Sequence, residues 1–462
     1  MAAATAEMIA SRSASASTSA SRSKRATVGE NRRVTPSGRL RVGMIGLGTV
    51  GTQVAARLLE RRAELSRRAG LELSLARVLV RDLNRPRAIT VAEGLLTTNP
   101  AEVLDDPAID VVVEVAGGEE PARSYLERAI CNGKHVVTAN KLVMAKHGPQ
   151  LLELAGRRNV DVYFEAAVGG GIPLISTFRV DLAANYLGRI MAVINGTTNF
   201  VLGQMARGRT LADAVKEAQA AGFAEADPTE DLDAHDAVYK LAIMASIGFG
   251  AHVRPEAIYR EGIGRVDPVD FPYARELGYE LKLLAYAAQD EQGRVEARVH
   301  PVLLPLGHLL GNLEGAANAV YVEGDLVGPV LLQGEGAGGR PTASSVVGDL
   351  VDLARSCHRQ VQRRPAIEFR SELVMLPMDL VETRAYFRCV LADRPGMLGA
   401  MFTVFGQEGV NIAGAIQKES EGDTAEFVVT THTASDVALR RVRERIAAEE
   451  PDIAVRSFIR II

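Results

Sequence analysis

Tryptophan is absent from this 462-residue chain, and Phe and Tyr contribute only 12 and 10 residues. The core must therefore rest on Leu, Val, Ile and Ala. The three cysteines, Cys131, Cys357 and Cys389, are scattered and lack metal-ligand spacing. That argues against a disulfide framework and for a reducing compartment. No apolar run reaches the length needed to span a bilayer. Nor is there an excess of charge: 53 Lys and Arg against 57 Asp and Glu leave a formal −4. Nothing in that balance calls for nucleic acid or an anionic membrane as partner.

What is present is the composition of a soluble globular protein, 47% hydrophobic and 24% charged. The length suits roughly two to four domains. Residues 1–38 stand apart, rich in Ser and Ala, with several Arg and only Glu7 and Glu30 as acids. Nothing there is periodic enough to bury a face, so the stretch reads as a disordered tail. A cytoplasmic protein is the first expectation. Acid-poor, Ser- and Arg-rich composition also fits an organelle transit peptide, the alternative.

The folded chain opens on a short apolar strand from Arg39 that runs into Gly46-x-Gly48-x-x-Gly51. A helix follows, with Val50, Val54 and Leu58 at four-residue spacing. In such a turn the first glycine permits the tight bend, the second lets backbone approach a pyrophosphate, and the third allows close helix–strand packing. Helix amides then meet the phosphates. A second strand, about Leu73–Val80, ends in Arg81-Asp82. A carboxylate there would bind a ribose 2′-hydroxyl and an arginine a 2′-phosphate. Arg81 comes first, with Arg85 and Arg87 behind it, which favours NADPH over NADH. Further βα units follow: Ile109–Ala116 reads as a strand buried on both faces, and Lys134–Lys141 as another. Thr138, Asn140 and Lys141 then fall at a carboxyl edge, where open α/β sheets bind ligands.

After the strand Asp161–Glu165 come three glycines and Ile172-Pro173. Their exposed carbonyls with one carboxylate suit a hard cation; a hinge between domains is the plainer reading. Asn195-Gly-Thr-Thr-Asn199 is a polar turn before an apolar helix. The densest stretch is Glu225–Lys240, with its carboxylates and a lysine leading into an apolar helix. Asp233 is placed to cap that helix, and Asp236 and Lys240, four apart, share a face. An acid and an ammonium at the mouth of a buried helix suit a polar substrate bearing an amine and a reducible carbonyl. An ordinary stabilising helix pair is the alternative.

From about Val295 to Gln333 the pattern is strands with short turns, including a hairpin at Gly324-Asp325. A second glycine-rich turn, Gly334–Thr342, leads into a helix of about Ser344–Cys357 that lies back against the nucleotide. Beyond Pro377 a separate module reads βαββαβ, a ferredoxin-like unit. Its first helix starts at Asp393-Arg-Pro-Gly, with proline at an early position.

Taken together, these motifs resemble homoserine dehydrogenase with a C-terminal ACT domain. The resemblance runs from about Leu40 to the end. It is carried by Gly46–Gly51, Thr138-Ala-Asn-Lys141, Glu165–Pro173, Ile194–Asn199, Gly222–Pro228 with Asp236 and Lys240, and Gly336-Ala-Gly-Gly. It implies an α/β fold with three parts. A Rossmann-type parallel domain spans 39–160 and is completed by about 334–375, an α+β catalytic and dimerisation domain spans 161–333, and an ACT domain spans 380–462. It implies reduction of aspartate β-semialdehyde to homoserine with NADPH or NADH, on the route to threonine, methionine and isoleucine.

By the same resemblance, Lys240 is the acid–base or carbonyl-polarising group with Asp236 as its catalytic partner, and Asp236, Glu225 and Lys141 hold the substrate. Gly46, Gly48, Thr49, Val50, Gly51, Arg81, Lys141, Gly222 and Gly338 line the cofactor. Glu165 with the carbonyls of Val168, Gly170 and Ile172 holds a sodium-like cation. Asp393, Gly396 and Asn411 meet an amino-acid effector, threonine, in a homodimer or homotetramer. The family's usual glycine two residues before Asp236 is Ala234 here. Another dehydrogenase of an aspartate-like substrate, or a sensor without turnover, would share much of this pattern.

Overall fold

The computed structural model describes residues 38–359, 367, 369, 373–417 and 422–462. The tail, apart from Gly38, lies outside these residues. The first sheet holds β1 (Arg39–Ile45), β2 (Glu72–Leu79), β3 (Leu96–Thr97), β4 (Val111–Glu114), β5 (His135–Thr138) and β6 (Val162–Tyr163). Their order is β3-β2-β1-β4-β5-β6, and every pair is parallel. This 3-2-1-4-5-6 arrangement is the doubly wound dinucleotide fold, with its switch point between β1 and β4. β4 reads Val-Val-Val-Glu and is buried throughout, because helices cover both faces of such a sheet. One covering helix returns from far along the chain. Gly339–Arg359 sets Val346, Leu350 and Leu353 among Met44, Val54 and Leu58.

A second, mixed sheet follows from β7 (Leu187–Val193), β8 (Tyr259–Arg260), β9 (Tyr279–Gln289), β10 (Val295–Pro305), β11 (Ala317–Gly324) and β12 (Gly328–Glu335). Its main path is β12-β11-β7-β9-β10, antiparallel throughout, and β8 adds to β10 in parallel. The expected hairpin is β11–β12, closing at Gly324 opposite Gly328. The helix His235–Phe249 lies against this sheet and buries Leu241, Ala242, Met244 and Ala245.

The C-terminal module contains β13 (Glu382–Ala392), β14 (Ile412–Gln417), β15 (Thr424–Thr431) and a closing strand, Ile453–Ile461. Helices Met397–Gln407 and Asp436–Glu449 complete βαββαβ. It has its own core, around Phe387, Met401, Phe405, Phe427 and Val442. Its sheet is nonetheless not separate. The closing strand pairs in parallel with β10, Val302 opposite Arg460 and Leu303 opposite Ile461, so one sheet runs from β7–β12 into the module.

Two local expectations change. Asp233 does not cap the helix of Asp236; it ends a short preceding turn, Thr229–Leu232. The cap position is Ala234, which has φ +65° and no side-chain oxygen to offer. In the module, Pro395 lies before the helix, which begins at Met397 after Gly396 at φ +95°. A positive φ is easiest for glycine, and the chain stops its turn there.

Candidate functional site: a lysine–carboxylate cluster at the sheet edge

At the carboxyl end of β1, Gly46 takes φ +99°, and a Cβ there would lie 2.9 Å from the backbone N of Ala116. A Cβ on Gly51 would meet the Gly46 carbonyl oxygen at 2.3 Å. Both positions therefore need glycine, one for the bend and one for helix–strand contact. Over Gly48 there is open space. Gly48 caps the helix Thr49–Glu60 without a side chain, so the first-turn amides have no intrahelical acceptor. With Thr49 also exposed, that cradle fits a diphosphate. Gly339 approaches from the returning helix; a Cβ on it would lie 3.0 Å from the Thr49 carbonyl oxygen. Gly338 stands beside it at φ +110°.

The edge of β4 and β5 is shaped by a buried carboxylate that sequence reading passed over. Glu114, fully buried, accepts from the amides of Ala116 (2.8 Å) and Gly117 (3.0 Å) and from the Thr138 hydroxyl (2.7 Å). The available signal was a charge closing a run of three valines in a strand covered on both faces. Asn140 accepts from the Val143 amide (3.1 Å), capping the helix Lys141–Arg158, and donates to the Gly118 carbonyl (2.7 Å). Thr138 and Asn140 are thus occupied in forming the edge, and Lys141 is the side chain projected from it.

Lys141 reaches across to Asp236, with which it forms an ion pair. Asp236 also pairs with Lys240 at 2.7 Å and accepts from the Asn195 amide at 2.8 Å. Lys240 donates as well to the Ile194 carbonyl at 2.8 Å, and Asn195 to Asp231 at 2.7 Å. Asp236 is 3% exposed and Lys240 8%. One carboxylate therefore holds two ammonium groups from different helices, Lys141–Arg158 and His235–Phe249. Burial alone would push the Asp236 carboxyl up, but Lys240 and Lys141 together pull it well below the usual carboxylate range. Burial opposes the charge on Lys141 too, yet Asp236 raises its pKa above the ordinary lysine value. With the Asp236 carboxyl held low and the Lys141 ammonium held high, the cluster can present a buried, oriented amine, Lys240, to a carbonyl oxygen.

Other expected residues sit differently. Glu225 is exposed, and its backbone carbonyl accepts from the Gln219 side-chain amide at 3.1 Å. Gly222 takes φ +77° on a turn held by Thr197, whose hydroxyl donates to the Phe223 carbonyl at 2.6 Å. Arg81 is exposed just beyond β2, while Asp82 is drawn into its own turn by the Asn84 amide at 2.8 Å. Glu165 accepts from the amides of Leu174 (2.6 Å), Ile175 (2.8 Å) and Ser176 (2.8 Å). The Gly170 carbonyl accepts from Ser345 at 2.6 Å. Val168 and Ile172 are buried beside them. In the C-terminal module, Asp393 and Gly396 follow β13 at its Ala392 end, whereas Asn411 precedes β14 at the other end of β15. One chain does not bring those three together.

Residues 173–351 match the family model described as homoserine dehydrogenase, 46–165 the homoserine dehydrogenase NAD binding domain, and 385–451 the ACT domain. Homoserine dehydrogenase of Neisseria gonorrhoeae is 42% identical over 88% of this chain and 94% of its own. The crystal structure of a homoserine dehydrogenase from Thiobacillus denitrificans superimposes with TM-score 0.85 at 42% identity, covering 92% of this chain and 98% of that one. A hyperthermophilic archaeal homoserine dehydrogenase in complex with NADPH superimposes with TM-score 0.60 at 28% identity, over 71% and 100%.

Proposed function

The chain belongs to the homoserine dehydrogenase family, and on that premise we propose how its residues divide the work of reducing L-aspartate 4-semialdehyde to L-homoserine. It is an NAD(P)-dependent oxidoreductase of amino-acid biosynthesis carrying an ACT domain. The nicotinamide, when bound over the Gly46–Gly51 turn, supplies the hydride. As the aldehyde carbon accepts it, negative charge builds on the oxygen. Lys240 stabilises that charge and gives the oxygen its proton. Asp236 aims both lysines and favours the charged form of Lys141. The more exposed side of the cluster, with Lys141 41% exposed at its side chain, admits the substrate, whose amino-acid end Lys141, Asp236 and Glu225 hold. The observation that carries this reading is the single buried carboxylate shared by two lysines at the carboxyl edge of the nucleotide sheet.

NADPH is the preferred cofactor in this reading, with Arg81 taking the 2′-phosphate; the NADPH complex of the archaeal neighbour supports it. A sodium-like cation at Glu165, Val168, Gly170 and Ile172 also belongs to it. A carboxylate offers about four lone-pair sites and a carbonyl two. Three amides at Glu165 and one hydroxyl at Gly170 thus leave acceptor capacity for a hard ion. No step of the reduction is routed through it. Threonine is the proposed effector at Asp393, Gly396 and Asn411. With Asn411 at the opposite end of β15, one effector molecule would draw on two copies, in keeping with a homodimer or homotetramer. No described helix is long and apolar enough to cross a membrane.

A steady-state assay tests the reading, using aspartate semialdehyde, each nicotinamide cofactor and added threonine. Reduction with NADPH ahead of NADH is expected, together with threonine inhibition that Asp393→Ala and Asn411→Ala relieve. Point variants serve better than truncation, because deleting the module would strip β10 of its neighbour. Failure to turn over the semialdehyde would overturn the assignment of the site.

A further inference from the structure

The segment 259–263 joins the C-terminal module to the turn that carries Asp236. At its module end, Arg460 on the closing strand, 1% exposed, donates to Glu261 at 3.0 Å and to the Tyr259 hydroxyl at 3.0 Å. Its Nε bonds the fully buried Asp436 at 2.6 Å. Tyr259 in turn bonds Glu261, and the Glu261 amide is fixed to the Val299 carbonyl of β10 at 2.8 Å.

At its other end the same segment grips backbone. Arg260 donates to the Asp233 carbonyl, and the Ile263 amide to the Leu232 carbonyl at 2.9 Å. Gly262 packs so closely that a Cβ would lie 2.3 Å from the Leu232 carbonyl oxygen and 2.8 Å from the Asp233 Cα. The next residue is Ala234, fully buried at φ +65°. A non-glycine residue holds that conformation only where its surroundings impose it. Two residues on is Asp236. A second tie runs from Asp231 through Asn195 to Asp236.

We propose that Arg260 and Glu261 are positioning residues for the Asp236–Lys240 pair, and that Arg460 of the C-terminal module sets their place. The module thereby holds the strained Ala234 turn in its working geometry with no effector bound. A ligand that displaces the closing strand acts on turnover along the same segment. The inference rests on Lys240 and Asp236 being the reacting groups.

The test uses the full chain with Arg260→Met, Arg260→Lys and Glu261→Gln. Arg260 is exposed and Glu261 35% exposed at its side chain, so folding should survive each change, and the thermal midpoint reports it. Expected is a kcat lower by roughly two- to thirtyfold, with KM for NADPH unchanged and the midpoint steady. Arg260→Lys, which keeps one donor for the Asp233 carbonyl, recovers part of the loss. Combining Arg260→Met with Glu261→Gln should cost less than the product of the single effects, since both act through one turn. Wild-type kcat in both Arg260→Met and Glu261→Gln overturns the proposal. So does a loss that tracks the midpoint and KM for NADPH. Turnover surviving in Lys240→Met would instead count against the site reading on which the inference rests.

Discussion

Replacing Asp236 by Asn removes the one negative charge that Lys141 and Lys240 share. A carboxamide accepts through its oxygen only and turns its NH2 towards the other donors. Lys141 is 41% exposed at its side chain and can turn to water; Lys240, at 10%, cannot. The cost therefore falls on Lys240. Breaking a buried pair costs about 3–5 kcal/mol, and the bond retained to the Ile194 carbonyl, at 2.8 Å, offsets about 1 of that. About 2–4 kcal/mol remains. At about 2–4 °C per kcal/mol for a unit of this size, the catalytic domain should melt roughly 4–16 °C lower at pH 7.

The pH dependence has a definite sign. The Asp236 carboxyl is depressed in the folded state, so its contribution is fully present above the unfolded aspartate value of about 3.9. It is lost as pH falls through that value towards the folded one. The gap between wild type and Asp236→Asn should be widest near neutrality and narrow below about pH 4. Scanning calorimetry at pH 7 and at about pH 3.5 reads both. Equal midpoints at pH 7, or a gap that widens in acid, would refute the idea that the two lysines depend on this carboxylate.

Three further outcomes follow from packing. Gly46→Ala places a methyl 2.9 Å from the Ala116 backbone N at φ +99°, so NADPH binding, read by fluorescence titration, should fail before the fold does. Arg388→Met strips the fully buried Asp270 of its 2.7 Å partner, leaving the hydroxyls of Tyr386 (3.0 Å) and Ser457 (2.5 Å) and the Asp267 backbone amide (3.4 Å). A loss of about 3–5 kcal/mol is expected in denaturant unfolding, with the junction between the second sheet and the C-terminal module failing first. Ala234→Gly relieves backbone strain of about 1–2 kcal/mol against a glycine entropy cost of about 0.5–1. Its stability should therefore rise by about 0–1.5 kcal/mol.

Much of the fold was written in short patterns. The glycine turn after a seven-residue strand, the valine-rich β4 and the βαββαβ order of the last eighty or so residues each report a local constraint that period and turn chemistry make visible. The i, i+4 spacing of Asp236 and Lys240 likewise puts them on one face. What could not be read depends on contacts between distant parts. Lys141 meets Asp236 across 95 positions, and no periodicity encodes that. The parallel pairing of β10 with Ile453–Ile461 was hidden because the module's own pattern is complete without it. Asp233 was read as a cap from residue type alone; the structure gives the position to Ala234, since contacts from the segment 259–263 override local preference. Glu225, proposed to meet the substrate, is exposed, whereas Asp236 and Asp231 are tied to the cluster by bonds within the chain.

The most direct measurement is a single-turnover stopped-flow reaction of Lys240→Met with saturating NADPH and aspartate semialdehyde. Asp236 keeps Lys141 and Asn195 in that variant, so the site stays assembled while the ammonium proposed to react is gone. NADPH oxidation should slow by about 10²–10⁴-fold, with the Kd for NADPH unaltered. A rate equal to that of the wild type, with NADPH bound normally, would mean that Lys240 does not act on the reacting oxygen.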